Sequence, residues 1–346
     1  MFALTVIPHK NGSASVDEVS EPALAEGNVL IAAEGCGVCG TDFEILNGDH
    51  GALPPGEPRL ILGHESIGRV LEAPAGSGLA EGDWVCGIVR RPDPLPCPSC
   101  AGGEWDMCQN GEYTEHGIKG VHGFARERYR IDHQFVVRVD PALAECGVLL
   151  EPASIVAKAW QQIERIGRRA LWQPERVLVT GAGPIGLLAA LMGVQRRMSV
   201  HVFDQVTSGP KPQLVADLGA TYHSGTIESV GSADIVIECT GAPTVAMAAM
   251  KAARRNGIVC LTGVSTIGQR LAVDVGGLNR KLVLENNVVF GSVNANRTHY
   301  EQGAEALLRA DRGWLNRLVT RRVPLRLWRE AMEHREDDVK TVITFG

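Results

Sequence analysis

A glycine-rich turn near residue 181 constrains the fold of this chain more than any other sequence feature. The segment VLVTGAGPIGLLAA places Gly181, Gly183 and Gly186 between a run of β-branched residues and an apolar helical run. In a G-x-G-x-x-G turn the first glycine permits a tight turn, the second lets the backbone approach a pyrophosphate, and the third allows close helix packing. A chain with 40 glycines can match this pattern by accident, so the surrounding sequence has to decide.

The surrounding sequence alternates strands with helices from about residue 176 onward. The runs RVLVT, SVHVF, DIVIECTG and GIVCLTG are separated by PIGLLAALMGVQ, PQLVADLG and TVAMAAMKAARR. Such alternation is typical of βαβ units and predicts a doubly wound parallel sheet, that is, a Rossmann domain. Asp204 ends the second strand, where a carboxylate can accept hydrogen bonds from an adenosine ribose. The predicted cofactor contacts are Gly181, Gly183, Pro184, Ile185, Gly186 and Asp204.

The rest of the chain has a different pattern of predicted elements, which indicates a second domain. A length of 346 residues exceeds the ~250 to 300 residues at which single cores stop growing. Short strand-like runs such as NVLIAAEG and DWVCGIV dominate before residue 153, and we expect the final TVITFG to return to that part. We therefore predict an α/β protein with a β-rich domain at 1–153 and 297–346 and a Rossmann domain at 154–296.

Charge and hydropathy exclude several classes of function. A net charge of -6 with scattered basic residues gives no footprint for nucleic acid. No apolar stretch approaches ~18 residues and no signal segment opens the chain, so we expect a cytoplasmic protein with no membrane partner. In a reducing compartment the nine cysteines would bind metal, take part in chemistry or pack as small apolar residues.

Several candidate metal ligands precede the Rossmann segment. Cys39 lies in GVCGTD, His64 and Glu65 lie in GHE, and Glu151 lies in LLEPAS. Taken singly, these are more often a buried thiol, a structural histidine and a helix N-terminal acid. Thiolate, imidazole and carboxylate together are the ligands that zinc prefers, and their combination before a dinucleotide fold predicts a catalytic zinc site.

A second cysteine group lies in CPSCAGGEWDMC and contains Cys97, Cys100 and Cys108. The C-x-x-C unit is typical of a closed structural zinc site, which ordinarily has four ligands. Asp93 is the nearest carboxylate and Cys86 the nearest spare thiol, and neither spacing decides between them. A metal-free loop remains the alternative.

The order GVCGTD, GHE, CPSC with a later cysteine, and GAGPIG resembles the zinc-containing medium-chain alcohol dehydrogenase superfamily. Within it, VRRP, DMCQNGEYTEHGIKGVHGF and LLEPASIV resemble the glucose 1-dehydrogenase (aldose dehydrogenase) subgroup. The resemblance implies a GroES-like catalytic domain, a Rossmann domain and a homodimer or homotetramer. It also implies a catalytic zinc held by Cys39, His64, Glu65 and Glu151, a proton relay through Thr41, and sugar contacts from Thr41, Glu115, Glu151, Asn294 and His299.

Three positions depart from the subgroup. Val89 stands where the subgroup often has Asn, the cysteine lobe lacks its usual first Cys near Asp93, and DQVTSG follows the second Rossmann strand. Relatives that use NADP commonly carry Asn or Arg in that last segment, whereas Asp204 would repel a 2′-phosphate. We therefore expect NAD to be preferred, with NADP also accepted because Thr207, Ser208 and Lys211 could contact that phosphate.

The resemblance implies oxidation of the anomeric hydroxyl of an aldose such as glucose to the aldonolactone, with hydride transfer to NAD(P). In such chemistry zinc lowers the pKa of a hydroxyl and the cofactor carries out the redox step. A polyol or secondary-alcohol dehydrogenase is the alternative on the same scaffold, because a fold does not determine its substrate. A metal-free quinone reductase-like or binding protein is disfavoured, because Cys39, His64 and Glu151 are all present.

Overall fold

The computed structural model describes residues 1–346 and divides into two compact units. The first unit comprises residues 1–154 and 294–346, and the second comprises residues 155–293. The second unit is thus a continuous segment between two parts of the first.

Short strands and turns make up most of the first 149 residues. The strands and the two short helices of this part are β1 (Phe2–Val6), β2 (Ser15–Glu18), β3 (Val29–Gly37), α1 (Gly40–Asn47), β4 (Leu60–Ile61), β5 (Glu65–Glu72), β6 (Trp84–Gly87), β7 (Arg90–Arg91), α2 (Pro98–Ala101), β8 (Thr114–His116), β9 (Gly120–Val121), β10 (Arg128–Ile131) and β11 (Val136–Arg138). In the first part of β3 alternate residues are buried, as the period of two in a half-buried strand requires, and its last three residues are all buried. Ile31 on β3 packs in one core with Leu4, Ile45 and Phe124.

A parallel sheet forms the second unit, into which helix α3 (Leu150–Gly167) leads. Its elements are β12 (Arg176–Thr180), α4 (Pro184–Gln195), β13 (Ser199–Phe203), α5 (Pro210–Asp217), β14 (Thr221–His223), β15 (Ala233–Glu238), α6 (Pro243–Ala252), β16 (Ala253–Leu261), α7 (Val275–Leu284) and β17 (Val288–Gly291). The strand order is β14-β13-β12-β15-β16-β17, and every pair is parallel. This is the doubly wound order in which the first and fourth strands are neighbours, so the predicted fold class is confirmed.

Helix α4 explains why the glycine turn is held firmly. Its residues from Gly186 to Gly193 are all buried and apolar, so the helix is covered on every side. A helix of this kind is stabilised by its neighbours, which fixes the position of its N-terminus.

After the second unit the chain returns to the first. The returning elements are α8 (Arg297–Leu308), α9 (Arg312–Leu318), β18 (Val319–Pro324), α10 (Trp328–Ala331) and β19 (Lys340–Thr344). Strand β19 pairs antiparallel with β3, which gives the main sheet the order β11-β6-β5-β3-β19-β18. Val342 lies opposite Gly37, so the start of β19 reaches the end of β3.

Candidate active site

Cys39, His64 and Glu65 converge because β3 and β5 are antiparallel neighbours. Gly37 pairs with Glu65, which places Cys39, just beyond the end of β3, beside the start of β5. One ligand atom from each of the three residues lies within 4.8 Å of the other two. A side chain at Gly37 would collide with the Glu65 carboxylate, since a Cβ there would lie 2.0 Å from Oε2. Sequence and register together therefore build a site with one sulfur, one nitrogen and one oxygen donor.

His64 is oriented by Asp42 in a manner suited to a metal. Its Nδ1 lies 3.5 Å from Asp42 Oδ1, and neither buried atom has a hydrogen-bond partner. Burial disfavours the charged imidazole, yet Asp42 and Cys39 together raise the pKa of His64 well above its usual value. A carboxylate behind a histidine that faces a thiol is the arrangement that orients a metal-ligating imidazole. The three donors fit a zinc ion with one further position open.

A buried lysine accompanies Glu65, and the sequence analysis missed it. Lys340 Nζ donates to Glu65 Oε1 at 2.7 Å and Oε2 at 2.6 Å, and to the carbonyl of Val38 at 3.0 Å. Both side chains of the ion pair are only 2% exposed. The signal in the sequence is a single charged residue in the strand run VKTVITF, because lysine is almost never buried unless it is paired.

Glu151 and Thr41 lie close to this group without belonging to it. Glu151 is in the first turn of α3 and is buried. Burial raises its pKa to about 7, with His64 lowering and Glu65 raising it, so the carboxyl shares their surroundings. Thr41 is partly exposed near the start of α1, two residues after Cys39. Ligation by Glu151 and proton relay by Thr41 stay predictions.

The three lobe cysteines also converge. Ligand atoms of Cys97, Cys100 and Cys108 lie within 4.8 Å of one another. The backbone N–H groups of Gln109 and Cys100 lower the pKa of Cys97 to about 6, and burial raises that of Cys100 to about 11. A thiol poised toward thiolate beside two others is a suitable start for a structural zinc site.

Neither candidate for a fourth ligand joins this lobe group. Asp93 Oδ1 accepts a hydrogen bond from the Leu95 N–H at 2.8 Å, and Oδ2 accepts one from Asn110 Nδ2 at 2.7 Å. Cys86 lies in β6, where burial raises the pKa of its thiol and the charge of Glu151 raises it further. Cys86 therefore belongs to the surroundings of Glu151, and Asp93 as a fourth zinc ligand stays a prediction.

Two of the predicted sugar contacts meet in one buried network. Asn294 Nδ2 donates to Glu115 Oε1 at 2.6 Å, and Arg90 binds the same oxygen. His299 is placed differently, because its Nδ1 accepts from the Asn296 N–H at 3.1 Å in the cap of α8. Contacts of all three side chains with a sugar stay predictions.

The glycine turn has the geometry that the sequence predicts for a dinucleotide site. Gly181 has a φ of +92°, in the left-handed region that favours glycine, and a Cβ at Gly186 would lie 1.8 Å from the Gly181 carbonyl oxygen. A Cβ at Gly183 would meet nothing within 4 Å, so the space over this residue is open. Pro184 begins α4 and Ile185 follows it. Asp204 accepts from the Ala182 N–H at 2.6 Å and the Val206 N–H at 2.9 Å.

A second acid of this sheet edge, Glu238, was also missed. It ends β15, is fully buried, and accepts from the Thr240 N–H at 2.7 Å and the Gly241 N–H at 3.2 Å. Thr180, which ends β12, donates to the same oxygen at 3.3 Å. Because backbone donors satisfy it, Glu238 ties together two strand ends on which a cofactor would rest.

Comparisons with known proteins agree over the whole chain. The family model "Glucose dehydrogenase C-terminus" matches residues 144–345, and "Alcohol dehydrogenase GroES-like domain" matches residues 25–141. Glucose 1-dehydrogenase of Methanocella arvoryzae is 38% identical, with 100% of each chain covered. Glucose 1-dehydrogenase 2 of Vulcanisaeta moutnovskia is 39% identical, with 99% of each covered.

A solved structure agrees as well. Glucose dehydrogenase of Haloferax mediterranei, in complex with NADP, Zn and gluconolactone, superposes with a TM-score of 0.92 at 32% identity, covering 100% of this chain and 99% of that one. In the present structure no helix has both the length and the apolar character needed to cross a membrane.

Proposed function

Because the chain belongs to the glucose dehydrogenase branch of the zinc-containing alcohol dehydrogenase superfamily, we propose that it oxidises the anomeric hydroxyl of an aldose such as glucose to the aldonolactone with NAD(P). The observation that carries the proposal is the convergence of Cys39, His64 and Glu65, whose donors lie within 4.8 Å of one another. When bound, zinc would lower the pKa of a substrate hydroxyl and the nicotinamide would accept a hydride.

The protein residues contribute orientation and a path for a proton. Asp42 faces His64 Nδ1 at 3.5 Å, so we assign the other ring nitrogen to the metal. Thr41 is partly exposed beside Cys39, so its hydroxyl can pass the substrate proton toward solvent. Glu151, buried with a pKa near 7, can join the metal or accept a proton from the same surroundings.

Cofactor choice rests on Asp204. Its carboxylate lies at the end of β13 and accepts from the Ala182 N–H within the glycine turn. There it would accept hydrogen bonds from both ribose hydroxyls of NAD and repel the 2′-phosphate of NADP. NAD is therefore preferred, and NADP is accepted less well.

Assembly and location form part of the same proposal. The parallel sheet of the second unit ends in the edge strand β17, and apolar side chains on and near α7 are exposed: Val264, Ile267, Val275, Val283 and Leu284. A free strand edge beside apolar surface favours pairing with a second copy, so we propose a homodimer or homotetramer. All nine cysteines are free thiols, which suits the cytoplasm.

A substrate panel tests the activity. Zinc-loaded protein is assayed with aldoses, polyols and simple alcohols, each with NAD and NADP, by nicotinamide absorbance. An aldose should have the highest kcat/KM and give a lactone. A polyol or secondary alcohol as best substrate, with no aldose turned over, would overturn the proposal in favour of the alternative dehydrogenase.

Two variants test the roles of the site residues. Cys39→Ala should abolish turnover and remove one zinc while leaving dinucleotide binding intact. Cys146→Ala is the control, since Cys146 is buried and belongs to neither group of candidate metal ligands. Thr41→Val should lower kcat by about 10² to 10⁴ through loss of the relay. A loss below about tenfold would place the relay elsewhere.

Metal counting tests the lobe. Reloaded protein should hold two zinc ions per chain, and Cys100→Ser should hold one while keeping the catalytic metal. One zinc in the unaltered protein, with the lobe thiols freely alkylated, would show that the lobe binds no metal.

A further inference from the structure

A buried ion pair joins neighbouring strands of the small sheet formed by β7, β8 and β9. Arg90 on β7 lies directly opposite Glu115 on β8. Arg90 Nε and Nη2 both donate to Glu115 Oε1, at 3.1 Å and 3.0 Å. The two side chains are 5% and 11% exposed. Two charges are therefore held together away from bulk water.

The two oxygens of Glu115 are used unequally. Oε1 accepts three hydrogen bonds, two from Arg90 and one from Asn294 Nδ2 at 2.6 Å, whereas Oε2 accepts none. A carboxylate oxygen has room for about two strong donors, so Oε1 is saturated. Oε2 retains all of its accepting capacity, and it is the oxygen available to a ligand.

Both partners of Glu115 are themselves fixed. Arg90 Nη1 donates to the carbonyl of Asp106 at 3.3 Å, and its guanidinium lies over the Tyr113 ring at 3.6 Å. Asn294 has a left-handed φ of +62°, and its Oδ1 accepts from the Ala295 N–H at 2.8 Å. Residues held on several sides define one orientation of a neighbouring group, which is what a recognition site needs.

We propose that Arg90 is a positioning residue for sugar recognition: it saturates Glu115 Oε1 and so presents Oε2 to one hydroxyl of the aldose. This inference rests on the proposed function. A flat guanidinium with two parallel N–H groups is required, because an ammonium at the same place is a point charge and cannot make both bonds in one plane. The neighbouring residue, Val89, has an apolar side chain, which makes no polar contact. Arg90 therefore supplies the orientation of Glu115.

The test compares Arg90→Met and Arg90→Lys with the unaltered zinc-loaded protein. Arg90→Met should raise KM for glucose about tenfold to a hundredfold, the loss expected for a hydrogen bond to a charged group, with a smaller change in kcat. Arg90→Lys keeps the charge beside Glu115 and should recover part of that loss. Zinc content and the Kd for NAD should stay within twofold of the unaltered protein. Arg130→Met is the matched control, because the Arg130 side chain forms a 2.7 Å pair with an exposed glutamate, Glu72, on another strand of the same sheet.

A set of deoxyglucoses identifies the hydroxyl. Each sugar lacking one hydroxyl is assayed with the unaltered protein and with Arg90→Lys, which retains the buried charge pair and so the fold. The sugar that lacks the hydroxyl bonded by Oε2 should show equal kcat/KM in both, whereas the others should keep the difference seen with glucose.

Four results would overturn the inference. A KM unchanged in both variants, or the same difference with every deoxy sugar, would show that Arg90 does not orient a sugar contact. Loss of zinc or of NAD binding in Arg90→Lys would assign it a purely structural role. Failure of the unaltered protein to oxidise any aldose would instead refute the proposed function, and this inference with it.

Discussion

Replacing Lys340 by Met tests the structure most directly. Lys340 Nζ donates to both oxygens of Glu65, at 2.7 Å and 2.6 Å, and both side chains are almost fully buried. Methionine fills a similar volume but removes the charge, so Glu65 would be left as an unpaired buried carboxylate. Breaking a buried pair in this way costs about 3–5 kcal/mol in the free energy of unfolding.

That cost should be visible as a large fall in the melting temperature of metal-free protein. For a unit of about 200 residues each kcal/mol corresponds to about 2–4 °C, so Lys340→Met should melt about 6–20 °C lower by calorimetry. Lys281→Met is the matched control, because Lys281 also lies 2.6 Å from a carboxylate oxygen, that of Glu285, but the pair is partly exposed and spaced four residues apart on a helix. The control should lose no more than about 0.5 kcal/mol.

A second substitution separates lost charge from lost packing. Glu65→Gln combined with Lys340→Met leaves no buried charge in the pair and should recover most of the stability. A single Lys340→Met variant within about 1 kcal/mol of the unaltered protein, or a double variant no better than the single one, would refute the reasoning.

Three further predictions concern the cofactor turn and the pH dependence of stability. Gly186→Ala should lower the melting temperature and abolish NAD binding, because the added Cβ would lie 1.8 Å from a backbone oxygen. Gly183→Ala should keep the melting temperature and lose only NAD binding. Calorimetry measures the melting temperature and fluorescence measures NAD binding. Asp204→Ala should lower the ratio of kcat/KM for NAD over NADP by about tenfold or more, and an unchanged ratio would show that another group selects the cofactor. Burial and the neighbouring Arg91 hold the pKa of His116 in the folded protein well below its usual value. Below about pH 6.5 His116 therefore binds a proton in the unfolded chain but not in the folded one, and the free energy of unfolding falls as pH drops. In His116→Gln the slope of unfolding free energy against pH should be shallower by up to about 1.4 kcal/mol per unit, and equal slopes would contradict the assignment.

The features predictable from sequence are those whose physics is local. The glycine turn, its strand and its helix lie within twenty consecutive residues, and the closest contact at Gly186, with the Gly181 carbonyl oxygen, is made inside that segment. Cys39 and His64 were also recognisable, because each sits in a short motif flanked by glycines. In both cases the residues next to the functional group are sufficient to identify the motif.

The partners of these residues were not predictable from local sequence, because the tertiary fold brings them together from distant parts of the chain. Lys340 lies 275 residues from Glu65, and Asn294 lies 179 residues from Glu115. No periodicity or motif joins such positions, and only the pairing of β19 with β3 brings the lysine to the site. His299 shows that a match to a family motif does not determine the contacts of a side chain. Its Nδ1 accepts a hydrogen bond from the Asn296 N–H in the cap of α8.

The charges around the metal position explain why this site is suited to a cation. Asp42, Glu65 and Glu151 are all buried there, and the basic groups that face them are Lys340 and the imidazole of His64. Lys340 is committed to Glu65, and Asp42 Oδ1 lacks a hydrogen-bond partner. The raised pKa of Glu151 follows from the same shortage, because burial without a full partner favours the neutral carboxyl. Buried acids in excess of their partners destabilise the metal-free unit, and a divalent cation that binds the folded state alone would offset that cost. The predicted metal site thus lies among the buried acids that would make the first unit depend on a bound cation.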